Sequence, residues 1–301
     1  MTTSIAPHAP YRAFDVEVGR IEHLTPSFVR ITFTGTDLHD FADNGNDQRL
    51  KLVLPLDDLG FEHFPRSEEW YRDWRLLPEE HRNPIRTYTV RAARPDIAEV
   101  EMDLVLHGDG GPASRWAGTA RIGDRLVLIG PNRLCPGDTT AAEWRPRSGA
   151  SLLIGADPTA VPAACAILAE LAEDACGVAV LEVPTEADRL SVRAPAGIRV
   201  DWRIQDGAPG AALEAGVRAA VRHLVAAPST PGSDPGAADT DVLWDIPVDD
   251  TDGAEPAPLY AWLAGEASAV VRLRRHLVAD VGVDRKSLAF MGYWRQGKAE
   301  G

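Results

Sequence analysis

The residues best suited to chemistry in this sequence lie in the short stretch Arg86–Arg91, which reads Arg-Thr-Tyr-Thr-Val-Arg. Its alternation predicts a β-strand that carries Arg86 and Tyr88 on one face and Thr89 on the other. A guanidinium binds phosphate through two parallel hydrogen bonds, and an aromatic ring stacks on a planar ring system. On this stretch alone, an exposed strand with alternating polar side chains is the simpler interpretation.

A glycine-rich stretch, His107–Ala117, follows a predicted strand that ends at Leu106. Pro112 suits the first turn of a helix, and Ser114 would lie in that turn. A helix start with free N–H groups and a hydroxyl is an anion site. A glycine-rich turn before a structural helix is the alternative. Taken with Arg86, however, a clamp for a pyrophosphate explains both stretches better.

Composition excludes several classes of function. The chain has 301 residues, enough for two domains, and a net charge of −14 from 45 acidic and 31 basic side chains. So acidic a protein is expected to bind neither nucleic acid nor anionic membranes. Residues 1–13 lack the apolar core of a signal peptide, and no run approaches the roughly 18 apolar residues of a membrane span, so we expect a cytoplasmic protein.

The cysteines exclude the usual metal-based electron carriers. Cys135, Cys165 and Cys176 are odd in number and have no C-x-x-C spacing. They predict neither a disulfide framework, nor a structural zinc site, nor a four-cysteine iron–sulfur cluster. If this protein transfers electrons, an organic cofactor must carry them.

Residues 11–147 read as an all-β unit of short strands separated by Gly, Pro and Asp clusters. The predicted strands are Phe14–Gly19, Phe28–Thr34, Gln48–Leu54, Pro84–Arg91, Val100–Leu106 and Asp124–Ile129. Six strands with one helical insertion favour a small closed barrel. The aromatic-rich connection 57–83 would be either a lid or a satellite hydrophobic cluster under a loop.

From residue 148 onwards strands alternate with helices, which predicts a parallel sheet with helices on its faces. The predicted strands are Ser151–Gly155, Val178–Val183, Ile198–Ile204, Leu259–Ala264 and Ser287–Trp294, and the helices Thr159–Asp174, Ala211–Leu224 and Glu266–Val281. Residues 226–258 contain no Lys or Arg and are rich in Pro, Ala, Asp and Gly. They predict a flexible acidic loop whose one apolar island is Leu243–Ile246.

Arg-x-Tyr-Thr on a barrel strand, a glycine-rich helix start and a following α/β domain together resemble the ferredoxin–NADP reductase superfamily. Within it, four stretches resemble the siderophore-interacting protein family: Arg86–Arg91, His107–Ala117, Trp262–Glu266 and Gly292–Gly297. Members of that family are cytoplasmic, flavin-dependent ferric-siderophore reductases. The resemblance implies a six-stranded antiparallel Greek-key FAD-binding barrel over residues 1–147. It also implies a ferredoxin-reductase-like α/β NAD(P)H domain over residues 148–301, with FAD held between the two.

The resemblance also implies residue roles. Arg86 would bind the FAD phosphate, Tyr88 would stack on the flavin, and Thr89 would hydrogen-bond near flavin N5. The implied cofactor-binding residues are Arg86, Thr87, Tyr88, Thr89, His107, Gly111, Ala113, Ser114, Trp116 and Thr159. The chain departs from the family pattern at Ala156–Thr159, where Pro158 stands in place of the usual Glu and cannot make its contacts.

The second domain lacks a Gly-x-Gly-x-x-Gly sequence after its first strand, so an ordinary Rossmann site is not predicted. Four candidate residues instead follow parallel strands, where ligands of open α/β sheets bind. Three more lie in a C-terminal segment that resembles NAD(P)H-using family members, although a Trp capping the core is an equal alternative. The candidates are Gly155, Asp157, Gly265, Glu266, Tyr293, Trp294 and Arg295. The implied donor is NADPH or NADH, with ferredoxin as an alternative.

Ferric siderophores are often anionic, so a reductase that does not ligate iron needs cations near the flavin edge. Lys51 resembles a basic position of the family, and Arg133, Arg272 and Arg275 complete a basic set that opposes the net charge. Arg272 and Arg275 share a helix face by their spacing. Each could instead be a solvated surface charge. No catalytic acid, base, nucleophile or metal ligand is required.

The resemblance therefore implies an FAD-dependent oxidoreductase that passes electrons from NAD(P)H to ferric siderophores and releases Fe(II), and we expect it to be a monomer. Two alternatives stay open. One is a flavin- or ferredoxin-linked reductase with a different acceptor. The other is a siderophore-binding carrier without turnover.

Overall fold

A computed structural model describes residues 9–107, 111–135, 142–147, 149–225, 244–245 and 259–297. The chain forms two compact units, Met1–Ala142 and Glu143–Glu300, here called unit 1 and unit 2. No helix in the described ranges is long and apolar enough to cross a membrane.

Unit 2 begins at Glu143 rather than at residue 148 because the residues before the first strand pack on Tyr260. The Tyr260 hydroxyl accepts a hydrogen bond from the Arg145 N–H at 3.0 Å and donates one to the Glu143 carbonyl at 3.4 Å. The ring of Trp144 meets the Tyr260 ring edge-on, with centroids 5.3 Å apart. These contacts attach the connecting segment to the second unit.

Unit 1 is a curled, all-antiparallel sheet of seven strands in the order β4-β3-β7-β1-β2-β6-β5. Its strands are β1 Tyr11–His23, β2 Phe28–Thr34, β3 Arg49–Val53, β4 Ile85–Thr89, β5 Ala92–Arg94, β6 Glu99–Val105 and β7 Arg125–Pro131. Two helices accompany the sheet, α1 Trp70–Leu76 and α2 Pro112–Thr119. The predicted barrel-type unit is confirmed, with one strand more than the six expected.

The extra strand is β5, which begins just beyond the predicted strand Pro84–Arg91 and lies at the opposite end of the strand order from β4. Between them the Val90 N–H donates to the Gln48 carbonyl at 2.8 Å, and the Arg91 N–H donates to the Glu101 carbonyl at 2.7 Å. The backbone thus changes its pairing partner from one sheet edge to the other within two residues. This crossing joins the two edges of the curled sheet.

The interior of unit 1 is filled by alternate residues of the strands, among them Phe14, Ile31, Leu52 and Val100, all fully buried. A second, smaller cluster lies on the other face of β3 and β7. Its buried members are Val53, Phe64, Trp70, Val127 and Ile129. Of the two interpretations of residues 57–83, the satellite hydrophobic cluster is therefore the one observed.

Unit 2 is a six-stranded sheet in the order β10-β9-β8-β12-β13-β11, parallel except for β11. Its strands are β8 Ser151–Ala156, β9 Gly177–Val183, β10 Ile198–Ile204, β11 Trp244–Asp245, β12 Leu259–Glu266 and β13 Leu288–Trp294. Its helices are α3 Val161–Glu170, α4 Ala211–Leu224 and α5 Ala267–Arg275. The predicted parallel α/β unit is confirmed.

The helices of unit 2 cover the sheet with apolar residues. Leu213 and Val217 of α4 and Leu273 of α5 pack with Leu153 and Leu263 of the sheet in one buried cluster. The α3 helix contacts β8 and β9, and its residues Val161–Leu168 are buried. The predicted helix Glu266–Val281 is shorter as an α-helix, because residues His276–Asp280 continue it as a π-helical turn.

The predicted acidic loop 226–258 lies outside the described residues except for β11. There Trp244 pairs with Met291 and Asp245 with Phe290, so β11 extends the sheet as an antiparallel edge strand.

A charge network on unit 1 ties four strands together through Glu101 of β6. Its carboxylate accepts hydrogen bonds from Arg94 of β5 at 2.6 Å, from Arg20 of β1 at 2.7 Å and from the Thr32 hydroxyl of β2 at 3.3 Å. The Glu101 side chain is only 8% exposed. An acid so enclosed is stable only while its cationic partners stay in place.

Replacing Glu101 by Gln should destabilise unit 1 at neutral pH and much less in acid. Burial raises the pKa of Glu101, but the hydrogen bond from Arg94 and the charges of Arg94, Arg30 and Arg20 outweigh it and hold the pKa below 4.5. Such a group stabilises the fold above its unfolded-state pKa, and this contribution is lost as the pH falls through the lower folded-state value. We expect a loss of about 1–3 kcal/mol at neutral pH.

The measurement is urea unfolding of the parent and the Glu101→Gln variant at neutral pH and at an acidic pH at which the folded protein carries Glu101 protonated. Glu17→Gln is the control, because Glu17 is an exposed carboxylate of β1. An equal destabilisation of Glu101→Gln at both pH values would contradict the network as described.

Candidate functional site

The strand β4 presents its predicted chemical residues on two faces. Arg86 and Tyr88 lie opposite Leu52 and Leu50 of β3, and Tyr88 packs against the interior core. Arg86 is half-buried, and its Nη1 donates to the carbonyl of Ile85 at 2.8 Å. The predicted alternation is thus observed, and it places the cation and the ring on the same face.

The opposite face of β4 is polar. Thr87 is exposed and accepts a hydrogen bond from Lys51 Nζ of β3 at 3.3 Å, whereas Thr89 is buried, with 7% exposure. The structure therefore brings together Lys51, which was predicted to face substrate, and Thr87, which was predicted to face the cofactor.

The start of α2 has the geometry of an anion site. Pro112 occupies the first turn, and Gly111 before it is extended. The His107 N–H donates to the buried Ser114 hydroxyl oxygen at 3.1 Å, which fixes the loop to the helix. No side chain in the described part of the chain caps this helix. The predicted stretch 108–110 lies outside the described residues.

The rest of α2 is anchored to the sheet rather than to solvent. Ala113 and Ala117 are in the interior core, and Trp116 stacks on Phe33 with centroids 6.3 Å apart and planes 17° apart. Both α2 and β4 contact β6. A half-buried guanidinium, a ring and an uncapped helix start fit a ligand with phosphate and a planar ring system.

Unit 2 contains a buried carboxylate at the carboxyl end of its parallel strands. Asp157 follows β8 and is 1% exposed. Its Oδ1 accepts hydrogen bonds from the Thr159 N–H at 2.9 Å, the Thr159 hydroxyl at 2.6 Å and the Ala160 N–H at 3.2 Å. Its Oδ2 accepts from the Glu266 N–H at 2.8 Å and from Trp294 Nε1 at 2.7 Å.

These five bonds unite the ends of three strands, β8, β12 and β13. Burial raises the pKa of Asp157, although the hydrogen bonds from Thr159 and Trp294 act against that rise. Thr159, predicted to bind the cofactor, and Trp294, predicted to bind NAD(P)H, both contact Asp157. Asp157 thus positions its neighbours and has little acceptor capacity left for a ligand.

Two glycines permit this close packing. Gly265 has φ +149°, and a Cβ there would lie 2.5 Å from Asp157 Cγ. A Cβ on Gly155 would lie 2.7 Å from Cδ2 of Leu263. Glycine is therefore required at both predicted positions, because a side chain there would overlap neighbouring atoms.

Glu266 caps the helix that follows it. Its Oε2 accepts a hydrogen bond from the Ala269 N–H at 2.9 Å, and its Oε1 accepts one from the Gln296 N–H at 3.4 Å. The second bond ties the C-terminal segment to the start of α5. Glu266 is 5% exposed, so it too is a buried carboxylate at this edge.

A third buried carboxylate was missed by the sequence analysis. Glu182 of β9 is fully buried and accepts from the Leu213 N–H at 2.7 Å and the Gly210 N–H at 3.3 Å, at the start of α4. Burial raises the pKa of Glu182, and the neighbouring Asp157 adds to the rise. The available signal was one acid in the otherwise apolar run Gly177–Val183.

The C-terminal segment carries an aromatic stack that was also missed. The ring of Tyr293 stacks on Trp244 of β11, with centroids 6.0 Å apart and planes 14° apart. Arg295 is half-buried, and its Nε is buried without a hydrogen-bond partner among the described residues. The indole N–H of Trp294 is bound to Asp157, which is a structural contact within unit 2.

The remaining predicted cations differ in their surroundings. Arg133 is exposed, and its backbone N–H donates to the Asp40 carbonyl at 2.9 Å. Arg272 is exposed but paired, its Nε lying 2.9 Å from Glu214 Oε2. Arg275 is exposed on the same helix. Pairing with Glu214 lowers the net positive charge that Arg272 presents to solvent.

Two family models match this chain. That of the siderophore-interacting FAD-binding domain matches residues 17–135, and that of the siderophore-interacting protein matches residues 149–297. The ferric vibriobactin reductase of Vibrio cholerae is 30% identical over 281 residues, which is 93% of this chain and 89% of that protein. The chain belongs to the siderophore-interacting protein family. Unit 1 is accordingly its FAD-binding domain, and the recognition made from the four sequence stretches is confirmed.

Solved structures of siderophore-interacting proteins share both units. The siderophore-interacting protein SipS from Aeromonas hydrophila has a TM-score of 0.65 and 28% identity and covers 96% of this chain and 93% of its own. A siderophore utilization protein from T. fusca has a TM-score of 0.67 and 25% identity, and the match covers 98% of this chain and 97% of that protein. The family fold therefore extends over nearly the whole chain.

Gly265→Ala should destabilise unit 2 of this siderophore-interacting protein. The new Cβ would collide with Asp157 Cγ, and a φ of +149° strains any residue with a side chain. Overpacking and backbone strain together should cost about 2–5 kcal/mol. Urea unfolding measures the loss. Gly118→Ala in α2 is the control, because a Cβ there meets nothing within 4 Å and Ala favours helices. A Gly265→Ala protein as stable as its parent would contradict the packing described.

Proposed function

We propose that this protein is an FAD-dependent reductase of ferric siderophores. The observation that carries the proposal is the match to ferric vibriobactin reductase over nearly the full length of both chains. The local structure of unit 1 supports it, since Arg86, Tyr88 and the start of α2 fit the phosphates and ring of FAD. The reaction would take place in the cytoplasm.

In unit 1, Arg86 would hold an FAD phosphate through its guanidinium, and the start of α2 would hold the pyrophosphate through its N–H groups and Ser114. His107 keeps the Ser114 hydroxyl in place. Tyr88 would stack on the flavin, and Thr89 would hydrogen-bond beside it. When bound, FAD supplies the ability to accept two electrons as hydride and to release them one at a time.

In unit 2, the carboxyl edge of the parallel sheet would bind NADPH or NADH, as open α/β sheets do. Gly155 and Gly265 allow the close approach of neighbouring groups. Asp157 fixes the position of the C-terminal segment relative to the turn before α3 through its hydrogen bonds. Tyr293, Trp294 and Arg295 would face the donor. Reduced ferredoxin is the alternative donor.

Lys51, Arg133, Arg272 and Arg275 would attract and orient anionic ferric chelates. In a protein with a net charge of −14, such cations oppose the negative electrostatic potential of the protein as a whole. They are expected to raise the local concentration of anions. Fe(II) binds hard oxygen ligands more weakly than Fe(III), so electron transfer itself would release the metal from the siderophore.

The decisive experiment is an anaerobic titration of the FAD-loaded protein, followed at its flavin absorbance, with NADH, NADPH and reduced ferredoxin in turn. Ferric chelates are then added, and Fe(II) is captured by a colorimetric chelator. Reoxidation by ferric siderophores faster than by other acceptors supports the proposal. A preference for other acceptors favours a general reductase. A protein that binds ferric siderophores but takes up no flavin would be a carrier.

Arg86→Ala should weaken FAD binding by about tenfold to a hundredfold, since a hydrogen bond to a charged group contributes about 1.5–3 kcal/mol. The measurement is flavin content after purification and FAD affinity by fluorescence quenching. Arg91→Ala is the matched control, because Arg91 lies beyond the end of β4 and its Nε is 3.7 Å from Asp103 Oδ2. Equal flavin affinity in both variants would remove Arg86 from the phosphate site.

Lys51→Ala should slow the reduction of anionic ferric chelates severalfold while flavin content stays unchanged. Stopped-flow reoxidation of the reduced protein measures this rate at low and high salt, because screening should shrink the difference. Lys286→Ala tests whether loss of any lysine has the same effect. A Lys51→Ala rate equal to that of the parent at low salt would exclude Lys51 from substrate attraction.

A further inference from the structure

The carboxyl edge of the unit 2 sheet differs from an ordinary dinucleotide site in how its helix starts are used. In open α/β folds the phosphates of a dinucleotide are bound at a helix start, where N–H groups are free. Here the helices α3, α4 and α5 all begin at this edge. Carboxylates of the chain itself occupy N–H groups at the starts of α4 and α5 and in the turn before α3.

At α4, the Glu182 carboxylate accepts from the Leu213 and Gly210 N–H groups, at 2.7 and 3.3 Å. At α5, Glu266 accepts from the Ala269 N–H at 2.9 Å. In the turn before α3, Asp157 accepts from the N–H groups of Thr159 and Ala160. A phosphate brought to any of these starts would meet an acid at close range and would find these donors in use.

Arg295 offers the same edge a cation with an unused donor. It directly follows β13, and its Nε is buried with no hydrogen-bond partner in the described ranges. The residues on either side are fixed, because Trp294 Nε1 donates to Asp157 at 2.7 Å and the Gln296 N–H donates to Glu266 at 3.4 Å. A buried donor without a partner is costly, and a bound anion would satisfy it.

We propose that Arg295, and not a helix start, binds a phosphate group of the nicotinamide dinucleotide in this protein. The inference rests on the proposed function, because it assumes that unit 2 takes NADH or NADPH. The guanidinium carries a fixed positive charge and a planar set of donors that matches two phosphate oxygens at once. The ligand group is either the pyrophosphate, which both dinucleotides share, or the 2′-phosphate, which only NADPH has.

The test compares Arg295→Gln with the parent by calorimetric titration of the full FAD-loaded protein. ADP is the probe for the pyrophosphate, and ADP that also carries a 2′-phosphate is the probe for the second group. Arg295→Gln should weaken at least one probe tenfold or more and raise the KM for the matching dinucleotide with little change in kcat. Weakening of both probes assigns the pyrophosphate. Weakening of the 2′-phosphorylated probe alone assigns the 2′-phosphate.

Arg203→Gln is the matched control. Arg203 lies in unit 2 and also has a buried Nε without a partner among the described residues, but its Nη2 pairs with Asp201 at 2.6 Å on the strand β10. It should leave both probes unchanged. Arg295→Lys keeps the charge without the planar fork and should recover part of the lost affinity. Unchanged affinity for both probes in a folded Arg295→Gln protein would overturn the proposal.

The iron step can be tested apart from the donor. Protein reduced chemically by dithionite and freed of the excess is mixed with a ferric siderophore, and the rate of flavin reoxidation is measured. Arg295→Gln should match the parent in this reaction, whereas a slower rate would contradict a role confined to the dinucleotide. A parent that binds neither probe but reduces the ferric siderophore would overturn the Arg295 proposal alone. A parent that fails in the iron step would overturn the proposed function.

Discussion

The buried carboxylate of Asp157 is the constraint on which the carboxyl edge of unit 2 depends. An acid with 1% exposure is tolerable only if its oxygens are saturated with donors. Here the donors come from the turn before α3, from the end of β12 and from the indole of Trp294. Several features of the sequence follow from this one group. Gly265 must lack a side chain, residue 159 must supply a hydroxyl, and Trp294 must end the last strand.

The two units treat helix starts in opposite ways. In unit 1 no described side chain caps α2, so its helix start favours an incoming anion. In unit 2 internal carboxylates satisfy the starts of α4 and α5 and the turn before α3. In a protein with a net charge of −14, these internal carboxylates make the helix starts of unit 2 less favourable to an incoming anion.

Alternation and turn residues were enough to predict most strands of both units and the alternation of strands and helices in unit 2. These signals failed where the chain changes its partner strand while the alternation of residue types continues. The predicted strand Pro84–Arg91 keeps its alternation of residue types past the end of β4. Only the hydrogen bonds of Val90 and Arg91 therefore show where the chain crosses towards β5. The two-residue strand at Trp244 is too short for any periodic signal, and tertiary pairing with Met291 creates it.

Sequence patterns identify which face a residue occupies but not which partner it meets, and this limits prediction of the site. Glu182 breaks an apolar run, yet only the tertiary fold shows that the start of α4 lies over it and supplies two N–H groups. Arg272 and Arg275 share a helix face, but Arg272 is paired with Glu214 on α4, a carboxylate that Arg218 also contacts. Which cation of α5 is left without an acidic partner on α4 therefore depends on that neighbouring helix. Spacing within α5 cannot reveal it, because the deciding carboxylate is 58 residues away along the chain.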